Sequence, residues 1–324
     1  MCTAVTYKTK DHYFGRNLDL EYTYEETVTV TPRNYPFCFR QLGRMESHYA
    51  IIGMAYVQAG FPLYYDATNE KGLSIAGLHF PGMAHYQPYM TEKDNVAPFE
   101  LIPWILGQCA SVAEAETLLE KMNLWDENFS GDLPTSPLHW IVADREQAIT
   151  LEPLEEGIKI YQNPIGVLTN TPAFDYQMFH LNQYIGLSCQ APNNTFAKGL
   201  EMKPYSRGIG AVGLPGDVSS MSRFVRAAFV KLNSVSGATE AESISQFFHI
   251  LSSVERPRGC VRVSPDVYDI TTYSSCCNTD KGIYYYCTYD NKGISAVDMH
   301  REDLEGKELI TYPLQKEQTV EYQN

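Results

Sequence analysis

Apolar and polar residues alternate in short runs along much of the chain, and this two-residue period is typical of β-strands whose two faces differ. Two such runs stand at the start, over 2–7 and 13–20, with a polar turn between them. Turn residues flank many of the other runs, which favours strands paired as hairpins. These other strands are predicted over 27–31, 49–57, 73–78, 138–143, 148–152, 166–169, 268–275, 282–289 and 294–298.

Helical spacing of apolar residues is confined to fewer segments. Ser111-Val-Ala-Glu114 and Thr239-Glu-Ala-Glu242 are capping-box patterns, in which Ser or Thr and a Glu three residues later satisfy each other's backbone N–H groups. Hairpin strands with grouped helices indicate an α+β fold, in which helices cover antiparallel sheets. The helices are predicted over 113–122, 174–185, 222–233 and 239–254.

Size and composition limit the class of protein. The chain has 324 residues, of which 44% are hydrophobic and 12% aromatic, enough for a packed core. We find no repeat, low-complexity tract or linker, so we expect a single domain over 1–324. No run approaches about 18 apolar residues and the start lacks a basic-then-apolar leader. We therefore expect a cytoplasmic protein with no membrane partner.

Charge and cysteine spacing exclude two further classes of partner. The formal net charge of −14 argues against nucleic acid, because phosphate backbones require clustered Lys and Arg. The chain has eight cysteines and no C-x-x-C pair. Cys276 and Cys277 would point to opposite faces of a strand, so they are poor joint ligands for a metal. We expect seven of the eight cysteines to be structural.

The remaining cysteine, Cys2, has a special position. Removal of one methionine would give Cys2 a free α-amine, so that a thiol nucleophile and a base titrating near pH ~7.7–8.0 would share one residue. The alternative is a small hydrophobe chosen for packing, which is the usual role of a free cysteine. The predicted hairpin favours catalysis, because an ordered strand holds reacting atoms in place.

Three aromatic segments, over 22–24, 58–65 and 128–138, lie between early and middle elements. Each alone would be expected to pack locally as a loop. Three together are typical of the lining of a site for a bulky apolar ligand. The side chains that we expect to contact such a ligand are Leu18, Leu20, Tyr24, Phe61, Tyr65, Leu133 and Leu138.

Six motifs follow one another along almost the whole chain. They are Met1-Cys-Thr-Ala4, Phe14-Gly-Arg-Asn-Leu-Asp19, Asn69-Glu-Lys-Gly-Leu73, Asp132-Leu-Pro-Thr-Ser-Pro-Leu-His-Trp140, Leu168-Thr-Asn-Thr-Pro172 and Ser222-Arg-Phe-Val-Arg226. Together they resemble the choloylglycine hydrolase family, and within it the bacterial bile salt hydrolases. The resemblance implies the N-terminal-nucleophile hydrolase fold, a four-layer αββα sandwich of two antiparallel sheets covered by helices.

The resemblance also implies an activity and an assembly. The substrates would be small amphipathic molecules, the glycine- or taurine-conjugated bile salts, whose amide bond is cleaved through a thioester. No metal or organic cofactor is implied, and the assembly would be a homotetramer. A penicillin V acylase and an acyl-homoserine lactone hydrolase are alternatives. A protein that binds ligands in an aromatic cleft without catalysis is another.

Site residues follow from the resemblance, position by position. Cys2 would be the nucleophile and its α-amine the proton acceptor and donor, with Arg16 favouring the thiolate, Asp19 holding the amine and Arg223 completing the polar network. From the residues alone, an ordinary surface ion pair would explain Arg16 and Asp19, and a solvated helix residue would explain Arg223. Strand alternation puts positions 16 and 19 on opposite faces, so their meeting requires a bend or bulge, for which Gly15 is a candidate.

The resemblance makes an amide N–H of Asn170 and the backbone N–H of His79 the donors to the developing oxyanion. Without it, Asn170 would be an ordinary turn residue before Pro172. His79 departs from the family, in which bile salt hydrolases have Asn and penicillin V acylases have Tyr. A backbone donor would survive this replacement. A side chain that selects the substrate would change the specificity, and a histidine there would add a group that titrates near neutral pH.

Overall fold

A computed structural model describes the whole protein, residues 1–324. Its strands are β1 Cys2–Lys8, β2 His12–Leu20, β3 Thr27–Thr31, β4 Phe37–Phe39, β5 Gly43–Met45, β6 Ile51–Gln58, β7 Phe61–Asn69, β8 Ser74–His79, β9 Asp94–Val96, β10 Met122–Leu124, β11 Leu138–Ala143, β12 Ala148–Leu154, β13 Gly157–Gln162, β14 Val167–Leu168, β15 Arg262–Ser264, β16 Val267–Tyr268, β17 Ile270–Asn278, β18 Ile283–Thr288, β19 Ser295–Asp298 and β20 Ile310–Pro313. Its helices are α1 Leu101–Gln108, α2 Val112–Leu119, α3 Phe174–His180, α4 Ser220–Asn233 and α5 Glu240–Ser252, with 3₁₀ turns at Leu181–Tyr184, Ile209–Ala211 and Met299–Arg301.

Two large sheets form the centre of the molecule. One has six strands in the order β14-β1-β2-β17-β18-β19, and the other has eight in the order β13-β12-β11-β8-β7-β6-β3-β20. Neighbouring strands in both sheets are antiparallel. The smaller pairs β4-β5, β9-β10 and β15-β16 lie outside them.

Helices cover the outer face of each sheet. Helix α1 packs on β6, β7 and β8, whereas α4 and α5 pack on β1, β2, β14 and β17. The two sheets meet where β1 and β2 contact β8. An apolar core that includes strand and helix residues surrounds the start of β1, and Cys2 is 3% exposed within it. The predicted α+β class and αββα layering are confirmed. None of the helices has the length and apolar character needed to cross a membrane.

The predicted strands are present, and both predicted capping residues begin helices. The Ser111 side chain accepts from the Glu114 N–H, and Thr239 and Glu242 form the full reciprocal box. The helix predicted over 174–185 is α-helical only to His180 and continues as a 3₁₀ turn.

The interpretation of 58–65 as a loop is wrong. Strand β6 ends at Gln58 and β7 begins at Phe61, so only Ala59 and Gly60 form the turn. Both have positive φ, 51° and 76°, as a tight two-residue hairpin turn requires. The aromatic residues that follow suit a strand, since large planar side chains pack well on a pleated surface.

Helix α1 was not predicted from the sequence because it has no polar face. Its residues from Leu101 to Gly107 are all buried, so the helical period of apolar and polar positions is missing. Strand β13 was missed for the opposite reason. It lies at the edge of its sheet, and none of its residues is buried, so no face separates an apolar side from a polar one.

Gly15 is required by close packing between strands. A Cβ atom on Gly15 would lie 1.9 Å from the Ser275 carbonyl oxygen of β17, far inside contact distance. The pairing of β1 with β2 is regular here, with Val5 opposite Gly15. The expected bend at Gly15 is therefore absent. The irregularity in the pairing of β2 lies on β17, between Thr271 and Tyr273.

Replacing Gly15 by alanine should destabilise the fold, because the added methyl group must push β2 and β17 apart. We expect Gly15→Ala to lower the free energy of unfolding by about 1–3 kcal/mol, measured by urea denaturation. Gly131→Ala is the matched control, since its Cβ would meet no atom within 4 Å. Equal unfolding midpoints for the two variants would contradict this account of Gly15.

Candidate active site

The hairpin of β1 and β2 brings Arg16 beside Cys2. Cys2 lies opposite Leu18 and Ala4 opposite Arg16, so the Cys2 and Arg16 side chains share one face as diagonal neighbours. This face meets the eight-stranded sheet. Arg16 Nη1 donates to the carbonyl oxygens of Tyr65 at 2.9 Å and Gly77 at 2.6 Å.

Asp19 lies on the opposite, helix-covered face. Its carboxylate accepts a hydrogen bond from Thr271 at 2.7 Å, and lies 3.5 Å from Arg256 Nε and 4.0 Å from Arg223 Nη1. The backbone of Cys2 is contacted from this same side, where Arg223 Nη1 donates to the Cys2 carbonyl oxygen at 2.5 Å. Strand alternation is therefore obeyed, and the expectation that residues 16 and 19 need a bend to serve one cysteine is wrong.

Arg16 is a buried cation with unused donors. It is fully buried, and its Nε and Nη2 atoms have no hydrogen-bond partner. Burial alone would lower the pKa of its guanidinium, but the negative charges of Cys2, Tyr273, Asp66 and Asp19 outweigh burial and raise it. The charge is thus retained beside the thiol.

Asp66 is a neighbour of Arg16 that was not predicted from the sequence. Its carboxylate accepts hydrogen bonds from Tyr273 and Tyr284, both at 2.7 Å, and from Ser275 at 3.1 Å. Burial raises its pKa, while the charge of Arg16 and these hydroxyl groups act in the opposite direction. A single aspartate within an aromatic strand carries no spacing signal, so nothing in the chain pointed to it.

Asn170 connects the cysteine to the end of β8. Its Oδ1 accepts from the Cys2 backbone nitrogen at 2.9 Å and from Arg223 Nη2 at 2.6 Å. Its Nδ2 donates to the His79 carbonyl oxygen at 2.7 Å, which leaves one Nδ2 hydrogen free. The backbone N–H of Asn170 donates to Ser220 Oγ at 2.9 Å. The amide hydrogen available to a substrate is therefore on the side chain.

The backbone of His79 faces the Asn170 side chain. Phe80 N donates to the Pro137 carbonyl oxygen at 2.8 Å, so the His79–Leu138 pair is a non-hydrogen-bonded pair of the β8–β11 ladder. The N–H and C=O of a strand residue point the same way, and the His79 C=O faces Asn170. The His79 N–H is therefore directed toward the Asn170 side as well. It is not paired with β7, because the pairing of β7 with β8 ends at Ala76.

The His79 side chain is partly exposed at the site. Its pKa is lowered, chiefly by burial and further by the positive chain terminus, with a smaller opposing effect of Glu21. The imidazole is therefore neutral near pH 7. It carries no charge for an anionic substrate under those conditions.

Arg223, Arg256 and Asp269 complete the polar network on the helix side. Arg223 also donates to Thr3 Oγ1 at 2.6 Å, and burial lowers its pKa to about 10 although Asp19 opposes this. Arg256 forms a buried ion pair with Asp269. The Met1 ammonium lies 3.7 Å from the Asp269 carboxylate. Neither Arg256 nor Asp269 stands in a motif, and only the fold brings them to Cys2.

An apolar cavity of about 370 Å³ adjoins Arg16, and 12 of its 19 lining residues are hydrophobic. Tyr24, Tyr65, Leu133 and Leu138 from the predicted contact set line it. The Tyr65 and Gly77 main chains link the cavity to Arg16, because both line it and both accept from the guanidinium.

The other predicted contact residues lie outside the cavity lining. Phe61 packs against Phe99 and Phe129, at ring-centroid distances of 5.8 and 6.1 Å, and these two rings do line the cavity. Leu18 is buried opposite Cys2, and Leu20 packs against the same core.

Other chemistry is not assembled in the fold. All eight cysteines are free thiols, and no three His, Cys, Asp or Glu side chains are grouped as a metal site. Cys276 and Cys277 are buried in β17. The polar groups described above gather at Cys2 alone among these cysteines.

Comparison with known proteins agrees with this geometry. Residues 2–312 match the family described as linear amide C–N hydrolases, choloylglycine hydrolase family. The chain is 56% identical to the bile salt hydrolase/transferase of Lactiplantibacillus plantarum, with 98% of both chains covered. It is 37% identical to the bile salt hydrolase/transferase of Clostridium perfringens, over the full length of both.

Solved structures agree as well. A mutant of the conjugated bile acid hydrolase from Clostridium perfringens superposes with a TM-score of 0.92 at 35% identity, with both chains fully covered. The penicillin V acylase of Agrobacterium tumefaciens shares the fold, with a TM-score of 0.75 at 21% identity over 97% of this chain and 92% of that one. The hairpin that presents Cys2, the layered fold and the full-length match lead to one conclusion: the chain belongs to the choloylglycine hydrolase family of linear amide C–N hydrolases.

Proposed function

We propose that this protein hydrolyses the amide bond of glycine- or taurine-conjugated bile salts, with Cys2 as its nucleophile once Met1 is removed. The observation that carries the proposal is the placement of Cys2. The buried guanidinium of Arg16 lies beside its thiol, and its backbone nitrogen donates a hydrogen bond to Asn170. The relatives named bile salt hydrolase support the substrate class.

The first step would be attack by the thiolate on the amide carbonyl carbon. Arg16 favours the thiolate electrostatically. The oxyanion would then accept from the free Nδ2 hydrogen of Asn170 and from the His79 N–H. One well-placed donor of this kind contributes about 3–4 kcal/mol to the transition state. The α-amine, which would have taken the proton of the thiol, would give it to the leaving nitrogen, and the C–N bond would break to form a thioester.

The second step would be hydrolysis of the thioester. The α-amine, now neutral, would take a proton from water as the water attacks, and the thiolate would leave. Asn170 Oδ1 would hold the amine, as it now accepts from the Cys2 nitrogen at 2.9 Å. Asp19 and Arg223 would fix the electrostatic environment of the amine from the helix side. With Met1 attached, this nitrogen belongs to a peptide bond and cannot act as a base.

The apolar cavity supports a bulky acyl group. Its aromatic and aliphatic walls suit the steroid, and a steroid bound there would have its amide on the side of Arg16 and Cys2, because Tyr65 and Gly77 both line the cavity and accept from Arg16. Leu18 and Leu20 would support the cavity wall without contacting the ligand. Leu18 belongs to the apolar core around Cys2, and Leu20 packs against that core.

Acyl transfer is a second proposed activity, because two relatives are named hydrolase/transferase. An amine can attack the same thioester in place of water. The acyl group would pass from the sulfur of Cys2 to the nitrogen of the attacking amine, and the proton of that amine would pass to the α-amine. We propose that added amino acids compete with water for the intermediate.

The location and assembly are also proposals. Eight free thiols support a reducing compartment, and we infer a cytoplasmic protein. We infer a homotetramer, and a series of exposed apolar side chains over 176–212 supports the presence of an assembly surface. They are Tyr176, Phe179, Ile185, Phe196, Tyr205 and Val212, and all are at least 64% exposed.

Hydrolysis has a direct test. Purified protein whose intact mass lacks Met1 should release glycine from glycocholate and taurine from taurocholate, measured by amine derivatisation. Cys2→Ala should abolish turnover and keep ligand binding, whereas Cys38→Ala, at an exposed cysteine, should behave as the parent protein. Intact substrates with correctly processed protein would refute the proposal, and binding without turnover would favour the cleft-binding alternative.

Substitution of His79 tests whether its side chain selects the substrate. We expect His79→Asn and His79→Tyr to retain turnover, because the backbone donor is unchanged. The ratio of kcat/KM for glycocholate over penicillin V should rise in His79→Asn and fall in His79→Tyr, by roughly tenfold or more. Parallel kinetics on both substrates measure this ratio. An unchanged ratio would remove the side chain from specificity, and penicillin V as the better substrate of the parent would favour an acylase.

The assembly is tested by sedimentation velocity. The parent protein should sediment as a tetramer, and Ile185→Asp should shift it to smaller species, because a charge would be buried at an apolar contact. Lys198→Asp, at an exposed polar position of the same segment, is the control. A monomeric parent protein at micromolar concentration would contradict the proposal.

A further inference from the structure

His139 is a buried histidine on β11 that the proposed chemistry does not use. It is fully buried, and both ring nitrogens face oxygen atoms at 3.0 Å. Nδ1 faces the Glu152 carboxylate of β12, and Nε2 faces the carbonyl oxygen of Thr169, which follows β14. Buried polar contacts of this kind hold a side chain in one orientation.

The hydrogen-bond roles follow from the partners. A carbonyl oxygen can only accept, so Nε2 donates to Thr169. Nδ1 and the Glu152 carboxylate share one proton between them. Glu152 also accepts from the Phe174 backbone N–H at 3.0 Å. The pair is therefore fully engaged, and neither side chain is an isolated buried charge.

The flat face of the ring makes a different contact. The imidazole stacks on Phe80, with ring centroids 4.2 Å apart and an angle of 7° between the planes. Phe80 is fully buried and follows His79 directly. His139 thus touches the residue after one oxyanion donor and the residue before the other, since Thr169 precedes Asn170.

Other contacts also hold the donor segments, and one joins them directly, since Asn170 Nδ2 donates to the His79 carbonyl oxygen at 2.7 Å. Gln177 Nε2 donates to the Asn170 carbonyl oxygen at 2.6 Å, and Ser220 accepts from the Asn170 N–H. These two come from helices α3 and α4. Thr171 Oγ1 donates to the Pro81 carbonyl oxygen at 2.9 Å and joins the two segments at an exposed point. His139 joins them in the interior and anchors both to the eight-stranded sheet.

We propose that His139 is a positioning residue for the two oxyanion donors, through its hydrogen bond to Thr169 and its stacking on Phe80. The inference rests on the proposed function, since it needs an oxyanion at Asn170 and His79. Donors of this kind must stay within about 0.5 Å of the productive geometry. A small displacement of either segment would reduce the stabilisation of the transition state and leave substrate binding almost unaffected.

The test separates positioning from general structural support. His139→Phe keeps an aromatic ring for Phe80 and removes the bond to Thr169, and His139→Gln restores an amide donor. Ile141→Val is the matched control, a conservative change on the same buried strand. Each variant is compared with the parent in glycocholate kinetics, in the rate of Cys2 alkylation by iodoacetamide, and in thermal unfolding. Alkylation is a displacement without an oxyanion, so it reports on the thiolate alone.

We expect His139→Phe to lower kcat by roughly 10- to 100-fold with KM within about threefold, because the displaced donors act on the transition state. The variant also removes the hydrogen-bond partner of Glu152, and thermal unfolding reports that loss separately. Alkylation of Cys2 should stay within about twofold, and His139→Gln should recover part of kcat. Ile141→Val should match the parent in all kinetic measurements. If His139→Phe does not fold, His139→Asn, which is too short to keep the same bond, carries the comparison.

Two results would overturn the inference. One is an unchanged kcat in folded His139→Phe or His139→Asn protein, and the other is a parallel loss of kcat and alkylation rate, which would indicate a general disturbance of Cys2. A parent protein that has processed Cys2 and cleaves no conjugated bile salt would instead refute the proposed function, and the positioning role would fall with it. This last result is visible before any His139 variant is made.

Discussion

The pairing of β1 with β2 is the constraint on which the site depends. It puts Cys2 at the end of a central strand, so that its side chain faces the second sheet and its main chain is reached from the helices. Arg16 can therefore act on the thiol while Asp19 and Arg223 act near the nitrogen. In the proposed mechanism this division would separate the thiol nucleophile from the α-amine base, one on each face of the sheet.

Buried charges gather around this strand end in balanced numbers. Three guanidinium groups, of Arg16, Arg223 and Arg256, are matched by three buried carboxylates, of Asp19, Asp66 and Asp269. An unpaired charge in such a place would cost several kcal/mol, so each partner is needed once the others are present. Some of their atoms have no hydrogen-bond partner, namely Nε and Nη2 of Arg16, Oδ2 of Asp19, Nε of Arg256 and Oδ1 of Asp269, so charge attraction rather than full hydrogen bonding balances this group.

Local signals predicted many of the strands, two helix starts and the α+β class, because periodicity and caps act within a few residues, whereas the αββα layering came from the family resemblance. Helix α1 was missed since it has no polar face, and the 58–65 hairpin since two-residue turns leave little room for a turn signature. Cys2 stood out by position, but its grouping with Arg16 and Asn170 came from family resemblance. Asp66 and His139 reach the site through long-range strand pairing, and Arg256 reaches it from the loop after α5, and no local pattern encodes these contacts.

The central claim is that Cys2 carries the acyl group, and trapping that intermediate tests it most directly. The protein without Met1 is mixed with glycocholate, quenched in acid within one turnover, and analysed by intact and peptide mass spectrometry. We predict a cholyl adduct on the N-terminal peptide, held as a thioester at Cys2 and released by hydroxylamine. Glycine release with an adduct on another residue, or with unmodified Cys2 throughout a burst of product, would contradict the account.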